Sequence, residues 1–349
     1  MRILAIDIGA GTQDIMVYDD NNARDRENRF DSAYKLVLPS PTRIFARQVR
    51  TSRVDLVISG ETMGGGPFTR AIIEHLKNYR VYMTERAART LRDDLERVKE
   101  YGVEIIAEAE IEELNEKARR IVISDVNPHL LTVLASFGVE TDFDAIAIAV
   151  QDHGVAPAGV TDRENRFRLI EEKVKDGGGI EAFAYLDGAV PATLSRMSSV
   201  LRSVKRWHEG AVLLMDTGSA AVLGSLEDER VKEKKKVVCI NAGNAHTIAI
   251  SMNESEIAGI FEHHTRLLDK QKLDYYIKKL SAGMLTFEEV FDDGGHGAFS
   301  RGENQPEIIS VTGPRRGEMK GVGIFATPAG DMMMTGPVGL IKAVQKKWT

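Results

Sequence analysis

The segment D-I-G-A-G-T-Q-D at residues 7–14 has the residue types and spacing of a phosphate-binding turn. Gly9 and Gly11 would let backbone N–H groups close on phosphate oxygens, because glycine has no side chain to clash with them. A carboxylate at Asp7 can hold a hydrated Mg²⁺ beside those oxygens. Two side chains that can donate hydrogen bonds to phosphate follow: Thr12 and Gln13. The segment predicts a phosphate cradle, although an ordinary glycine turn with a capping aspartate would look the same.

Two more loops carry carboxylates directly after apolar runs, where site residues of α/β proteins often lie. The loop at residues 59–68 enters a helix through Pro67, which makes an anion-receptive helix terminus, and Glu61 is a candidate base there. In Q-D-H-G at residues 151–154, which resembles a strand end of carbohydrate kinases, Asp152 is a candidate base. A plain connecting loop is an equal alternative for each.

Five of the eight histidines suggest a metal site by their type but not by their spacing. Two of them are adjacent and would point to opposite faces of a strand, so they cannot both bind one ion without help from a loop. The H-E-x-x-H pattern of helical zinc sites does not occur. The sequence therefore does not favour a transition-metal site. The histidines concerned are His153, His246, His263, His264 and His296.

The elements that must position these residues follow from the hydrophobic pattern. Residues 3–6 and 15–18 read as two strands of a hairpin around the first glycine turn. Alternation of strands and helices then predicts a layered α/β domain. The predicted strands are 54–59, 121–124, 145–150, 212–215, 237–240, 247–251 and 308–311. The predicted helices are 67–78, 87–101, 128–137, 267–280 and 338–344, with 161–207 mainly helical around a glycine break at 177–179.

An internal similarity indicates two related halves. L-A-I-D-I-G-A-G-T-Q-D-I-M-V at residues 4–17 matches V-C-I-N-A-G-N-A-H-T-I-A-I-S at residues 238–251 without a gap. Two related hairpins suggest two related domains, and we expect the change of domain near residue 206.

These segments, taken in order, resemble the motifs of the ASKHA superfamily, whose fold is shared by actin, sugar kinases and heat-shock chaperones. Residues 7–14 and 240–247 look like its two phosphate hairpins. D-T-G-S-A-A-V-L-G-S-L at residues 216–226 is similar to the N-E-P-T-A-A-A segment of the chaperones and to the S-G-P-A-G-G segment of the hydantoinase family. Residues 308–317 resemble the adenosine motif, and 331–340 resemble the helix that returns to the first domain.

The resemblance implies an α/β, two-domain ASKHA (ribonuclease H-like) fold with a central cleft. It implies domains at residues 1–205, with helical insertions, and at 206–330, and a returning C-terminal helix at 331–349. It further implies ATP as ligand, with Mg²⁺ held by Asp7. The implied nucleotide-binding residues are Gly9, Gly11, Thr12, Gln13, Gly243, Asn244, His246, Gly313 and Pro314. The catalytic candidates are Asp7, Asp152, Asp216 and Glu61.

The chain departs from the family pattern in the second phosphate hairpin. Asn241 stands where the family carries a carboxylate, and Ala245 and His246 replace small Gly and Thr residues. An amide cannot take a proton or carry the charge that helps to hold Mg²⁺, which puts chaperone-like ATP hydrolysis in doubt. Thr217 falls near the chaperones' catalytic glutamate, and the adjacent Asp216 is equally interpreted as a catalytic group or as a helix cap.

The whole-chain pattern also resembles a small group of microbial proteins described as "putative pyruvate formate-lyase activating enzyme". In its radical-SAM sense that description requires three cysteines in a C-x-x-x-C-x-x-C loop, whereas the chain has Cys239 alone. Activator ATPases of the ASKHA fold need interface cysteines as well, and one per protomer cannot fully ligate a four-iron cluster. The sequence argues against both meanings.

Three functions remain open. The first is a Mg-dependent phosphotransferase or ATPase that binds ATP between the domains and acts on an unidentified small molecule. The second is a non-catalytic nucleotide-binding regulatory protein, in which Asn241 reflects a loss of turnover. The third and weakest is a hydantoinase-like amidohydrolase or ligase.

Composition limits the partners. The 349 residues carry a formal net charge of -6 and give a pI near 5.8. Nucleic acid and membrane surfaces are therefore not expected partners, because binding a polyanion needs a basic face. No segment has the length of a membrane span or of a signal-peptide core, and one cysteine excludes an intramolecular disulfide, so the cytoplasm is the expected compartment. The sequence leaves the oligomeric state open.

Overall fold

A computed structural model of the chain describes residues 1–22, 30–114, 117–157, 159–175 and 179–348. Its strands are β1 Arg2–Ile8, β2 Thr12–Asp19, β3 Tyr34–Pro39, β4 Leu56–Gly60, β5 Val81–Thr84, β6 Glu104–Ile106, β7 Arg119–Ile123, β8 Ala145–Val150, β9 Ala184–Leu186, β10 Ala211–Met215, β11 Lys236–Ala242, β12 His246–Asn253, β13 Glu256–His264, β14 Gly297–Ser300, β15 Ile308–Thr312 and β16 Ile324–Phe325. Its α-helices are α1 Pro41–Thr51, α2 Pro67–His75, α3 Glu85–Ala88, α4 Leu95–Glu100, α5 His129–Ser136, α6 Asp162–Lys175, α7 Ser195–Lys205, α8 Thr217–Ser225, α9 Lys270–Ser281, α10 Phe287–Asp292 and α11 Thr335–Lys347. The predicted glycine break at 177–179 lies almost wholly outside the described residues.

The first sheet has the strand order β3-β2-β1-β8-β10-β9. β1 pairs antiparallel with β2 and parallel with β8, and β10 continues the parallel pairing on the other side of β8. Because successive side chains of a strand point to opposite faces, β8 is divided between two cores. Ala145, Ala147 and Ala149 enter the core between the two halves, whereas Ile146, Ile148 and Val150 enter the outer core. The small alanines let a helix approach the inner face closely.

The second sheet repeats this arrangement. Its order is β14-β13-β12-β11-β15-β16, with β11 antiparallel to β12 and parallel to β15. Each half therefore contains a hairpin, a third antiparallel strand and two parallel strands joined to the first strand of the hairpin. That repeat agrees with the sequence similarity between residues 4–17 and 238–251.

A third sheet lies in the chain between β3 and β8. It has four parallel strands in the order β6-β5-β4-β7 and its own apolar core, which includes Leu56, Phe68 and Ile121. Two of its strands, β4 and β7, coincide with the strands predicted at 54–59 and 121–124, and the separate sheet that they form was not predicted. The helix predicted at 87–101 is two helices, α3 and α4, because Asp94 caps the second by accepting from Glu96 N.

Helices α8 and α11 pack together between the two large sheets, with α8 on β11 and β15 and α11 on β1 and β8. Their backbones touch at glycines. A Cβ added at Gly224 would lie 1.8 Å from Thr335 O, and one at Gly339 would lie 1.9 Å from Ala220 O. A larger residue at either position would push the two helices apart.

This is the two-domain ASKHA fold, with an inserted third sheet, and the predicted fold class is confirmed. One strand is placed differently from the prediction. Residues 212–215 were expected to open the second domain, but β10 pairs with β8, so the first half extends at least to Met215. None of the helices in the described part of the chain combines the length and hydrophobicity of a membrane span.

Candidate functional site

The turns of the two hairpins have the same hydrogen bond and face each other. Gly9 N donates to Thr12 O at 2.9 Å, and Gly243 N donates to His246 O at 3.0 Å. A Cβ added at Gly11 would lie 2.5 Å from Nδ2 of Asn244, so the tip of one turn lies against the side chain of the other. The two turns therefore present backbone groups to one shared space.

Two carboxylates lie side by side at the first turn. Asp7 pairs with Asp14 across β1 and β2, and both line the cleft. Thr217 Oγ1 donates to Asp7 Oδ1 at 2.5 Å, whereas Asp14 Oδ1 has no hydrogen-bond partner among the described residues. Burial raises the pKa of Asp7 to about 7 and that of Asp14 to about 8, and the charge of Asp7 adds to the shift at Asp14. The pair is an acidic site without a basic partner of its own.

The cleft has a volume of about 660 Å³ and is lined by residues from both halves and from the inserted unit. Nine of the predicted site residues line it: Asp7, Gly9, Thr12, Asp152, Gly243, Asn244, His246, Gly313 and Pro314. Four do not line it: Gly11, Gln13, Glu61 and Asp216. Gln13 Nε2 donates instead to Pro39 O at 3.0 Å, so its amide fixes β2 to β3.

The assignment of Glu61 as a base is corrected by its surroundings. Its carboxylate is buried and forms ion pairs with three arginines at distances of 2.5 to 3.4 Å. Its oxygens are engaged by three guanidinium groups and lie outside the cleft lining, so the side chain is not placed to act on a ligand there. The pairs with Arg202 and Arg206 join the inserted unit to α7 and the residue after it, whereas the pair with Arg86 lies within the unit, so the role of Glu61 is structural.

Of the two roles left open for Asp216, the geometry supports the helix cap. Its Oδ1 accepts from Gly218 N at 3.0 Å at the start of α8, and its Oδ2 lies 2.9 Å from Arg166. Arg166 also makes a bidentate pair with Glu262, at 2.7 and 3.0 Å, and all three charged side chains are buried. Burial alone would raise the pKa of Glu262, but the Arg166 guanidinium outweighs it and holds that pKa well below its usual value.

Asp152 lies at the carboxyl end of β8 and is buried. Its two oxygens accept hydrogen bonds from Gly154 N and Met197 N, both at 2.9 Å. Burial raises the pKa of Asp152, although these two bonds oppose the shift. Asn241 also lines the cleft, beside the turn after β15, where a Cβ added at Gly313 would lie 2.6 Å from Asn241 Oδ1.

The histidines converge although their sequence spacing gave no sign of it. Ligand atoms of His153, His246 and His296 all lie within 4.8 Å of one another. The ring of His264 lies beside them, with centroids 4.9 Å from His246 and 5.0 Å from His296. The expectation that adjacent histidines diverge is confirmed, because His263 bonds Asp293 at 3.0 Å instead.

Several cleft residues were missed from the sequence. Asp14 could have been found, since a turn that joins Gly9 to Thr12 fixes the register that puts Asp14 beside Asp7. Arg166 and Glu262 gave no signal, because an arginine in a polar helix and a glutamate in a strand are ordinary surface residues in a sequence.

Comparisons with known proteins place the chain in context. A family model described as "Putative pyruvate format-lyase activating enzyme (DUF1786)" matches residues 63–318. A search of curated proteins finds no match. Similar solved structures include "a putative N-acetylmannosamine kinase" from Listeria monocytogenes, with 10% identity, a TM-score of 0.37 and full coverage of both chains. A ROK family glucokinase from Streptomyces griseus has 10% identity, a TM-score of 0.36 and 99% coverage of both chains. Similarity at this level carries no argument about activity or substrate.

Proposed function

The chain belongs to the DUF1786 family, and we propose that it binds Mg-ATP in the cleft and transfers the terminal phosphoryl group to a small molecule or to water. The observation that carries the proposal is the pair of like turns that face each other, one ending at Thr12 and the other at His246. Such turns offer backbone N–H groups from two sides, which suits a chain of phosphates.

Asp7 is the proposed Mg²⁺ ligand, with Asp14 as its neighbour. Mg²⁺ is usually held by one or two carboxylates together with water and phosphate oxygens. The unpartnered oxygen of Asp14 supports this assignment, because a dication would satisfy it and relieve the repulsion between the two carboxylates. Helices α8 and α11 both begin near Asp7, which lies against Thr217 and Gly336 in their first turns, and their positive ends favour bound anions.

The nucleoside is proposed to lie against Gly313 and Pro314. These residues follow β15, the parallel neighbour of the strand that leads into the second turn, and both line the cleft. A nucleoside there would stand beside the second turn, so its phosphates would extend toward the space between the turns.

Asp152 is the proposed group that orients the acceptor. Burial raises the pKa of Asp152 toward neutral pH, as catalysis by a general base requires. Each of its oxygens accepts one backbone hydrogen bond and has a second lone pair that can accept another. The glycine-rich loop at the start of α2 and Arg70 also line the cleft. Positioning and charge neutralisation supply most of the catalysis in phosphoryl transfer, and both are available there.

Asn241 favours a second candidate function, nucleotide binding without turnover. It occupies the position equivalent to Asp7 in the second hairpin, and its amide neither accepts a proton nor neutralises a cation. A protein of this kind would report nucleotide occupancy through closure of the cleft.

Thermal unfolding with and without Mg-ATP and Mg-ADP, together with an assay of ADP formation from Mg-ATP, tests the proposal. We expect millimolar Mg-nucleotide to raise the melting temperature by several degrees, as binding at about 100 times Kd would. Asp7→Asn should reduce nucleotide affinity at least about 10-fold. Asp31→Asn, which removes an exposed carboxylate elsewhere, is the matched control and should behave like the unaltered protein.

Three outcomes separate the candidates. Stabilisation with ADP formation that disappears in Asp7→Asn supports the enzyme. Stabilisation without ADP formation, with a panel of sugars and other small hydroxylated acceptors present, supports the binding protein. The absence of any nucleotide effect on the melting temperature contradicts both.

A further inference from the structure

We infer that the cleft contains a transition-metal site distinct from the acidic pair at Asp7, in which the imidazoles of His153, His246 and His296 bind one divalent ion, Zn²⁺ by donor chemistry. The inference does not depend on nucleotide binding. The proposed site brings together His153 in the loop after β8, His246 at the start of β12 and His296 just before β14.

The ring positions fit a tetrahedral centre. The centroids are 5.9 Å apart for His153 and His246, 6.0 Å for His153 and His296, and 4.8 Å for His246 and His296. A Zn–N bond of about 2.0 Å puts each ring centroid about 3.2 Å from the metal, so two tetrahedral ligands have centroids about 5.2 Å apart. Adjustments below about 1 Å would bring all three rings to bonding distance.

His296 supplies an independent reason to expect a ligand. Its side chain is 0% exposed, and neither Nδ1 nor Nε2 has a hydrogen-bond partner among the described residues. Burying polar nitrogens without partners costs free energy, and such groups in folded proteins usually serve an ion, water or a reaction. A metal bond would satisfy one of the two nitrogens.

His246 is already oriented as a metal ligand. Gln151 Nε2 donates to Glu262 at 3.2 Å, which turns Gln151 Oε1 toward His246 Nδ1 at 2.9 Å. With Nδ1–H donating to that oxygen, the lone pair is on Nε2. Ligand histidines in proteins commonly have such a second partner, which fixes the tautomer and the ring orientation.

The electrostatic surroundings are compatible with a dication. His296 is buried and the other two rings are half-buried, and burial disfavours the charged form of an imidazole, which cannot bind a metal. The charged side chains that act on the three rings are Arg166 and Glu262, which form an ion pair with each other. Arg163 adds a positive charge nearby, where it donates to Gly295 O next to His296.

The three imidazole nitrogens determine which metal ions fit the site. Imidazole suits Zn²⁺, Cu²⁺, Fe²⁺ and Ni²⁺, whereas Mg²⁺ and Ca²⁺ prefer oxygen. Cys239, the only cysteine, is fully buried in the core between the halves and supplies no thiolate. Three histidines are the ligand set of zinc sites that keep one position open. All three line the cleft, so the open position would take water or an oxygen of an anionic ligand there.

Metal analysis of the purified full chain, without nucleotide, tests the inference. After removal of metal with a chelator and titration with Zn²⁺, elemental analysis should find about one Zn²⁺ per chain. His153→Ala and His296→Ala should each lower the Zn²⁺ affinity at least about 100-fold. His129→Ala removes an exposed histidine of α5 and should leave the affinity unchanged.

Replacement of Zn²⁺ by Co²⁺ makes the test independent of whether the variants fold. The unaltered protein should bind one Co²⁺ and give the visible absorption of a tetrahedral site, and excess Zn²⁺ should abolish it. The inference is overturned if the unaltered protein binds neither ion at micromolar concentration, or if folded His296→Ala binds Zn²⁺ as tightly as His129→Ala. Because no nucleotide is present, neither result bears on the proposed phosphoryl transfer.

Discussion

The two hairpins at the cleft share a backbone and differ in chemistry. Both turns close with the same N–H to C=O bond, and both lead from a central strand to its antiparallel neighbour. Side chains at equivalent positions have changed, from Asp7 to Asn241 and from Thr12 to His246. The first turn is therefore acidic and suited to Mg²⁺, whereas the second is neutral and carries an imidazole. Two copies of one backbone hairpin can thus carry side chains of different chemistry at equivalent positions.

The hairpins also differ in what holds them. Asp7 is held by one hydroxyl, from Thr217, at the start of α8. His246 is held through Gln151 to Glu262, which is bound by Arg166 inside the protein. The second turn therefore depends on buried charges, and the first depends on a neutral hydrogen bond to a carboxylate.

The largest expected effect comes from breaking the support of the second turn. Arg166→Met should lower the free energy of unfolding by about 3–5 kcal/mol, because Glu262 and Asp216 would remain buried without a cation. Arg168→Met on the same helix removes a half-exposed arginine and should cost less than about 0.5 kcal/mol. Urea denaturation measures both. Equal losses in the two variants would show that the buried charges do not support the second turn.

The second prediction concerns the carboxylates of the first turn. Their pKa values of about 7 and about 8 lie above the unfolded value near 3.9, so the folded state binds protons more tightly between pH 4 and 8. The contribution of these two carboxyl groups to the free energy of unfolding is complete below about pH 4 and is lost as the pH rises to about 8. The loss is on the order of 2 kcal/mol after allowance for water in the cleft.

Denaturation at several pH values in the presence of a chelator measures how steeply the free energy of unfolding changes with pH. The double variant Asp7→Asn, Asp14→Asn should remove most of this slope, and Mg²⁺ should reduce the slope in the unaltered protein. A slope that survives the double variant would mean that other groups cause it.

The smallest expected effect is the difference in stability between alanine variants of the two glycines that close the turns. A Cβ added at Gly243 would lie 2.6 Å from His246 O, whereas one at Gly9 would lie 3.5 Å from Thr12 O, an ordinary contact. Gly243→Ala should therefore lower the free energy of unfolding by at least about 1 kcal/mol, and Gly9→Ala by less than about 0.5 kcal/mol. Chemical denaturation of the two variants under one condition checks the difference, and a reversed order would contradict the described turn geometry.

Much of the fold could be predicted from sequence because its evidence is local. The gapless match between residues 4–17 and 238–251 fixes two hairpins, and glycine turns fix their register. What failed is the assignment of strands to sheets. The runs that became β4 and β8 look alike as apolar segments, yet one joins the inserted sheet and the other joins the first, since pairing partners lie far apart in the chain.

The candidate site likewise has one part that is local in sequence and could be predicted, and another part that is formed only by folding. The first turn was found because its residues are neighbours in sequence. The histidine cluster was not, because His153, His246 and His296 are brought together only by the packing of the two halves. Glu61 was misjudged for the opposite reason, since a loop glutamate shows nothing of the three arginines that surround it in the folded protein.

The helix pair α8–α11 has a mechanical consequence. The chain passes from the first half to the second through α8 and returns through the segment that ends in α11, so both covalent connections run along this pair. The helices meet by backbone at Gly224 and Gly339, where no side chains interlock. A rotation of one half against the other about this pair would displace no side chain at these two points of backbone contact. The halves could separate only if the buried ion pair between Arg166 and Glu262 broke.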